Sequence, residues 1–209
     1  MKRLITLVLL VASVMLFSVE ASAQFDLSRA IGTLLGGSTE SADAPNPYDA
    51  IAEAAPSKSR IMGTWQYKTA SMEYLGNNQL AGAAISQLEG FALGELKKMG
   101  VVEGCCSLTL RRNGMAVIST LDALQEGSFT YDETSARVTA ATTVGGNTFN
   151  FDGYVKMVSE NLVVLIDARD VLDAMVKASP ELATNQSVVM ARAVLDSFTD
   201  IYIGVIFKR

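Results

Sequence analysis

Asp167, Asp170 and Asp173 recur at every third position where an apolar run gives way to helical spacing. Carboxylates grouped this way can chelate calcium or share acid–base work. They can equally cap a helix and oppose its positive end. Capping is the expected role, because the glycine and the ligand count of a calcium loop are missing. The other reactive side chains are two neighbouring thiols, Cys105 and Cys106. Three readings compete for them. They are free and largely buried, or bonded to each other in a small strained ring, or bonded between two chains. Disulfide geometry disfavours neighbours, so free thiols are expected. Histidine is absent from the sequence. That removes Ser-His-Asp and Cys-His catalysis, His-ligated haem and most zinc sites. The serines and threonines have no base beside them. The expectation is a protein that is not an enzyme and carries no metal or cofactor.

What remains for function is an apolar interior and the elements that would enclose it. Trp65, Tyr67, Leu108, Leu110, Tyr131, Phe149 and Phe151 are the residues expected to line a ligand cavity. Plain core filling suits them as well, since an eight-stranded barrel is just wide enough to be packed or to hold one small ligand. Ile61 to Tyr74 alternates as a first strand, with Trp65, Tyr67 and Thr69 on one face. Gln79 to Met99 then carries helical spacing through Ala81, Ile85, Leu88, Ala92, Leu96 and Met99. From Cys106 the period becomes two. Asn113-Gly114 between alternating runs signals a hairpin with a type I′ turn, returning through Met115 to Leu121. Gly127 to Tyr131 and Ala136 to Thr142 flank a second turn at 132–135, and Gly145-Gly146 marks a third. Asn147 to Val158 and Leu162 to Asp167 are further strands. Ala168 to Ala178 is a helix, and Ser179-Pro180 opens another that runs to about Phe198. Ile201 to Lys208 is the last strand. The pattern predicts a mainly β fold: an eight-stranded antiparallel up-and-down barrel, a helical insert after strand one, and two helices before the last strand.

Gly63-Thr64-Trp65 on the first strand, with the up-and-down run that ends the chain, resembles the calycin group of lipocalins and fatty-acid-binding proteins. The helical segment directly after strand one is similar to the fatty-acid-binding layout, where it acts as a lid. Met62 to Thr120 also resembles a lipocalin-like family of exported Bacteroidetes proteins of unknown function. The resemblance implies that Trp65 plugs the closed end of the barrel, with Lys208 or Arg209 packing over its ring. The Arg-x-Tyr carboxylate clamp of fatty-acid-binding proteins has no match in Ile201-Tyr202-Ile203-Gly204-Val205, so that clamp does not carry over.

The N-terminus reads as a signal peptide over residues 1–23. Lys2 and Arg3 precede the apolar Leu4 to Phe17, and Ala21-Ser22-Ala23 is the cleavage site. No cysteine lies near the cut, so the expected product is periplasmic or secreted rather than a lipoprotein, and does not span the membrane. Residues 24–59 form a flexible or partly helical tail with a Ser, Ala, Asp and Pro-rich centre. Residues 60–209 form the barrel domain. The formal charge of −5 becomes more negative once Lys2, Arg3 and Glu20 are removed, and an acidic surface repels phosphate backbones, so nucleic acid is not an expected partner. The expected function is an exported carrier of a small hydrophobic or amphipathic ligand. The alternative is a non-catalytic module of the cell envelope that holds a protein partner through the tail.

Overall fold

The computed structural model describes residues 46–76 and 101–209, apart from 122, 145, 179 and 185, together with single positions 85, 89, 93 and 97. The leader, the tail before Asn46 and most of the helical segment expected over Gln79–Met99 lie outside the described residues. Ile85, Glu89, Leu93 and Lys97 are helical, and Ile85 is buried in the main core.

Eight antiparallel strands close into one barrel, each paired with its sequence neighbour and the last with the first. They are β1 (Gly63–Tyr74), β2 (Cys106–Leu110), β3 (Met115–Thr120), β4 (Leu124–Tyr131), β5 (Arg137–Val144), β6 (Asn147–Val158), β7 (Asn161–Asp167) and β8 (Ile201–Lys208). The helices are α1 (Pro47–Glu53), α2 (Lys58–Ile61), α3 (Ala168–Ala178) and α4 (Gln186–Ser197), with a 3₁₀ turn over Pro180–Thr184. The single helix expected after Ser179 is thus divided, its first turn wound as 3₁₀.

The alternation along β1 changes phase once. Lys68 is a bulge between the pairs Tyr67↔Phe207 and Thr69↔Ile206. A bulge shifts every later side chain to the other face. Trp65 and Tyr67 are therefore followed inward by Ala70, and Thr69, expected beside them, leaves the inner face. The β2–β3 hairpin also departs from expectation. Gly114 has φ of 79°, while Asn113 does not take the left-handed conformation that a type I′ turn requires. Gly114 N–H donates to the Arg111 carbonyl at 3.1 Å and Arg111 N–H donates to the Met115 carbonyl at 2.9 Å. This is a type I turn followed by a glycine bulge. The Asn113 side chain instead accepts from Met115 N–H at 3.2 Å.

The base of the barrel is sealed by α2 and Trp65. Gly63 links the two at φ of 117°, a conformation open to glycine. Trp65 Nε1–H donates to the Ile61 carbonyl at 2.7 Å. The guanidinium of Arg209 lies 4.7 Å from the centre of the indole and donates to the Arg60 carbonyl at 3.0 Å. Of the two cations that the resemblance offered, Arg209 takes the place, and Lys208 pairs with Glu103.

The opposite end is roofed by α3. β7 pairs with β6 only from Gly153 onward, so residues 147–152 of β6 have no strand beside them there. α3 leans on that edge. The Asp170 carboxylate accepts the Asp152 N–H at 2.9 Å, and Lys177 Nζ donates to the Thr148 carbonyl at 2.6 Å. Outside the barrel, Val163, Leu165, Tyr202 and Ile206 make an apolar wall over β7 and β8. α1 covers it with Tyr48 and Ile51. The Tyr48 hydroxyl donates to the Asp200 carboxylate, and its ring tilts onto Tyr154 at 5.3 Å.

Candidate functional site

The barrel encloses a cavity of about 190 Å³. Its position follows from side-chain size on three adjacent strands. Ala116, Gly127 and Thr142 are register partners across β3, β4 and β5. One step away, Ala140 lies between Phe129 and Phe151. All of these face the cavity. Four small residues where leucine or valine would fill the interior leave the space open. The far wall is full-sized, with Val164 and Ile166 of β7 and Ile203 and Val205 of β8. Ile61 bounds the base and Val171 of α3 bounds the roof.

The expected lining residues divide. Tyr67, Leu108, Leu110 and Phe151 line the cavity. Trp65, Tyr131 and Phe149 do not. The Trp65 indole is committed to the base plug through Ile61 and Arg209. Tyr131 sits near the base and its hydroxyl donates to the Pro56 carbonyl at 2.7 Å. Phe149 packs beneath Ala174 and Ala178 of α3, with Lys177 Nζ 5.3 Å from its ring centre. Sequence reasoning missed large lining residues such as Ile118, Phe129, Val164 and Ile203, and with them the small ones and Gln125. β5 mixes small polar and small apolar residues on both faces, so its inner face gave little contrast to read.

Burial keeps the thiol of Cys106 and the phenol of Tyr67 neutral. Burial pushes the Cys106 thiol up to about 12, with Cys105 adding to the shift. Burial likewise raises Tyr67 well above the ordinary phenol range. Both thiols are free, Cys106 lining the cavity and Cys105 packed against the main core. A neutral buried thiol packs as a small hydrophobe and is a poor nucleophile. The three aspartates at the start of α3 each take a separate partner. Asp167 caps the helix by accepting Arg169 N–H at 2.8 Å, Asp170 holds β6, and Asp173 pairs with Arg192 at 2.6 Å.

Gln125 is a polar side chain of the lining, and its bonds run within the barrel wall. Its Nε2 donates to Thr142 Oγ1 at 2.8 Å, to the Glu126 carbonyl at 3.0 Å and to the Thr143 carbonyl at 3.2 Å. That network fixes which end of the amide is nitrogen.

A closed eight-stranded meander, plugged at its base by a tryptophan and hollow against one wall, defines a lipocalin-like barrel. The chain belongs to the lipocalin-like domain family DUF4923, whose family profile matches residues 35–209. A DUF4847 family protein from Bacteroides vulgatus ATCC 8482 is similar at 12% identity with a TM-score of 0.35, over 68% of this chain and 90% of that one. None of the curated proteins matches this chain.

Proposed function

We propose that this protein is a non-catalytic carrier, exported through its N-terminal leader, that holds a small hydrophobic or amphipathic molecule inside the barrel. The observation that carries the reading is the cavity beside Ala116, Gly127, Ala140 and Thr142. Natural interiors pack to crystal-like density, and an apolar void costs stability in proportion to its volume. A row of small residues that keeps such a void open is better explained by an occupant than by packing. The lining is aliphatic and aromatic, with few polar groups, as ligand pockets usually are.

Native mass spectrometry of protein purified from its own cell envelope, followed by solvent extraction, tests the reading. The expected result is a bound apolar compound of low mass, lost in an Ala140→Leu variant. Protein that emerges without any such mass, and whose Ala140→Leu variant behaves identically, overturns it. Export is checked separately by fractionation, with the mature chain expected to begin at Gln24.

A further inference from the structure

The cavity's size and the free face of Gln125 narrow the class of molecule it takes. An engineered apolar cavity of roughly 150 Å³ stays dry and accepts benzene. A cavity of about 190 Å³ is only a little larger, which suits a single ring with a short substituent, not a long acyl chain. The walls around it are Leu108, Ile118, Phe129, Val164 and their neighbours. A carboxylate buried there would lose its hydration, and no Lys or Arg is among the described lining residues to replace it.

Gln125 lies at the helical end of the cavity, facing Ile118 across β3 and β4. Its amide nitrogen is already occupied by three acceptors. Among the described residues its Oε1 accepts no hydrogen bond. An amide carbonyl has two acceptor sites and no proton to give. It therefore favours a ligand that donates and disfavours one that presents a carboxylate.

We propose that the cavity binds a compact neutral molecule, of about the size of a substituted benzene ring, whose single polar group is a hydroxyl or N–H donor received by Gln125 Oε1. The proposal rests on the cavity being a ligand site. Three probes of matched shape separate the two ideas: benzyl alcohol, toluene and benzoate, titrated into the purified protein at neutral pH and followed by two-dimensional NMR. Benzyl alcohol should bind tightest, and benzoate at least about tenfold more weakly. Gln125→Leu should reduce benzyl alcohol to the affinity of toluene and leave toluene unchanged. Benzoate binding as tightly as the alcohol, or toluene more tightly, overturns the donor class while leaving the ligand site standing. Equal loss of all three probes in Gln125→Leu does the same. Should that variant fail to fold, the order of the three probes on the unmodified protein decides. Binding of none of the three overturns the proposal. If Ala140→Leu then also leaves the native-envelope mass spectrum unchanged, the ligand site falls with it.

Discussion

Ser71 carries a buried hydroxyl that finds no hydrogen-bond partner among the described residues. It sits on β1 opposite Gly204 of β8. A Cβ placed on Gly204 would come 2.2 Å from Ser71 Oγ. The hydroxyl and the missing side chain are thus two halves of one packing choice. Ser71→Ala should stabilise the protein by about 1 kcal/mol, since it removes an unsatisfied polar atom. Gly204→Ala should cost less in that background than alone, with a coupling of about 0.5–1 kcal/mol in a urea double-mutant cycle. Trp65 is the opposite case, with every part of its ring engaged. Trp65→Phe loses the bond to the Ile61 carbonyl and much of the stacking with Arg209, and should cost about 2–4 kcal/mol in the same assay. Asp170 introduces a pH dependence. Burial raises its pKa; the Asp152 N–H opposes this, while the nearby carboxylates of Asp167, Asp152 and Asp173 push the same way. A carboxyl whose folded pKa lies above its unfolded value holds its proton better in the folded state. Ionising it near neutrality therefore weakens the fold, and stability recovers as pH falls through the raised pKa. Asp170→Asn keeps an acceptor for Asp152 N–H and removes the charge. It should be more stable than the parent at pH 7, by less than about 1 kcal/mol because the group is partly exposed. The advantage should fade as unfolding is repeated down through the carboxylate range.

Among the described elements, α1 and α3 each cover something the strands leave open. α1 covers the apolar outer wall of β7 and β8, with Ile51 buried against it. Ile51→Ala should cost about 2–4 kcal/mol and raise binding of a hydrophobic dye, as the wall becomes wet. A truncation meant to probe the tail must therefore stop before Asn46, because removing residues 24–59 would also strip this wall. Most strands were legible because each side of the barrel has its own polarity, as in β2, where Leu108 and Leu110 line the cavity and Thr109 bonds Thr64 on the other face. β8 reads Ile201, Ile203, Val205 and Phe207 inward, and all four meet the core. The plug role of Trp65 was carried by the resemblance of Gly63-Thr64-Trp65 and not by alternation. The outer wall was not legible, because Val163, Leu165, Tyr202 and Ile206 make β7 and β8 apolar on both faces, and a doubly buried strand carries no alternation. Phe149 was misplaced by strand parity alone. It points to the inner side, but β7 ends early and α3 fills the gap above it, so the ring meets a helix instead of a cavity. The Lys68 bulge and the glycine bulge at Gly114 are single backbone choices, and the flanking pattern does not encode them.

Viewed whole, the barrel is asymmetric across its axis. One wall, β7 with β8, is built from large residues and backed by α1 on the outside. The other, β3 to β5, carries Ala116, Gly127, Ala140 and Thr142 among its inner residues. The heavy side supplies the core that holds the molecule together, so the light side is free to be hollow. Filling the hollow should then separate stability from binding. Ala140 is flanked by Phe129 and Phe151 and faces open space, so Ala140→Leu adds three carbons without displacing a neighbour. Each buried methylene is worth about 0.8 kcal/mol, offset by side-chain entropy and some strain. A net gain of about 1 kcal/mol is expected in denaturant unfolding, together with loss of binding of small aromatic probes. A similar enlargement at a packed position of the heavy wall that does not line the cavity, Val163→Leu, should cost stability instead, because overpacking there has no void to absorb it. A cavity that exists for a ligand predicts this pairing of gain in stability with loss of binding. An accidental defect of this size would also take up small aromatic probes, as an engineered cavity does, so the compound recovered with protein from its native envelope is what separates the two.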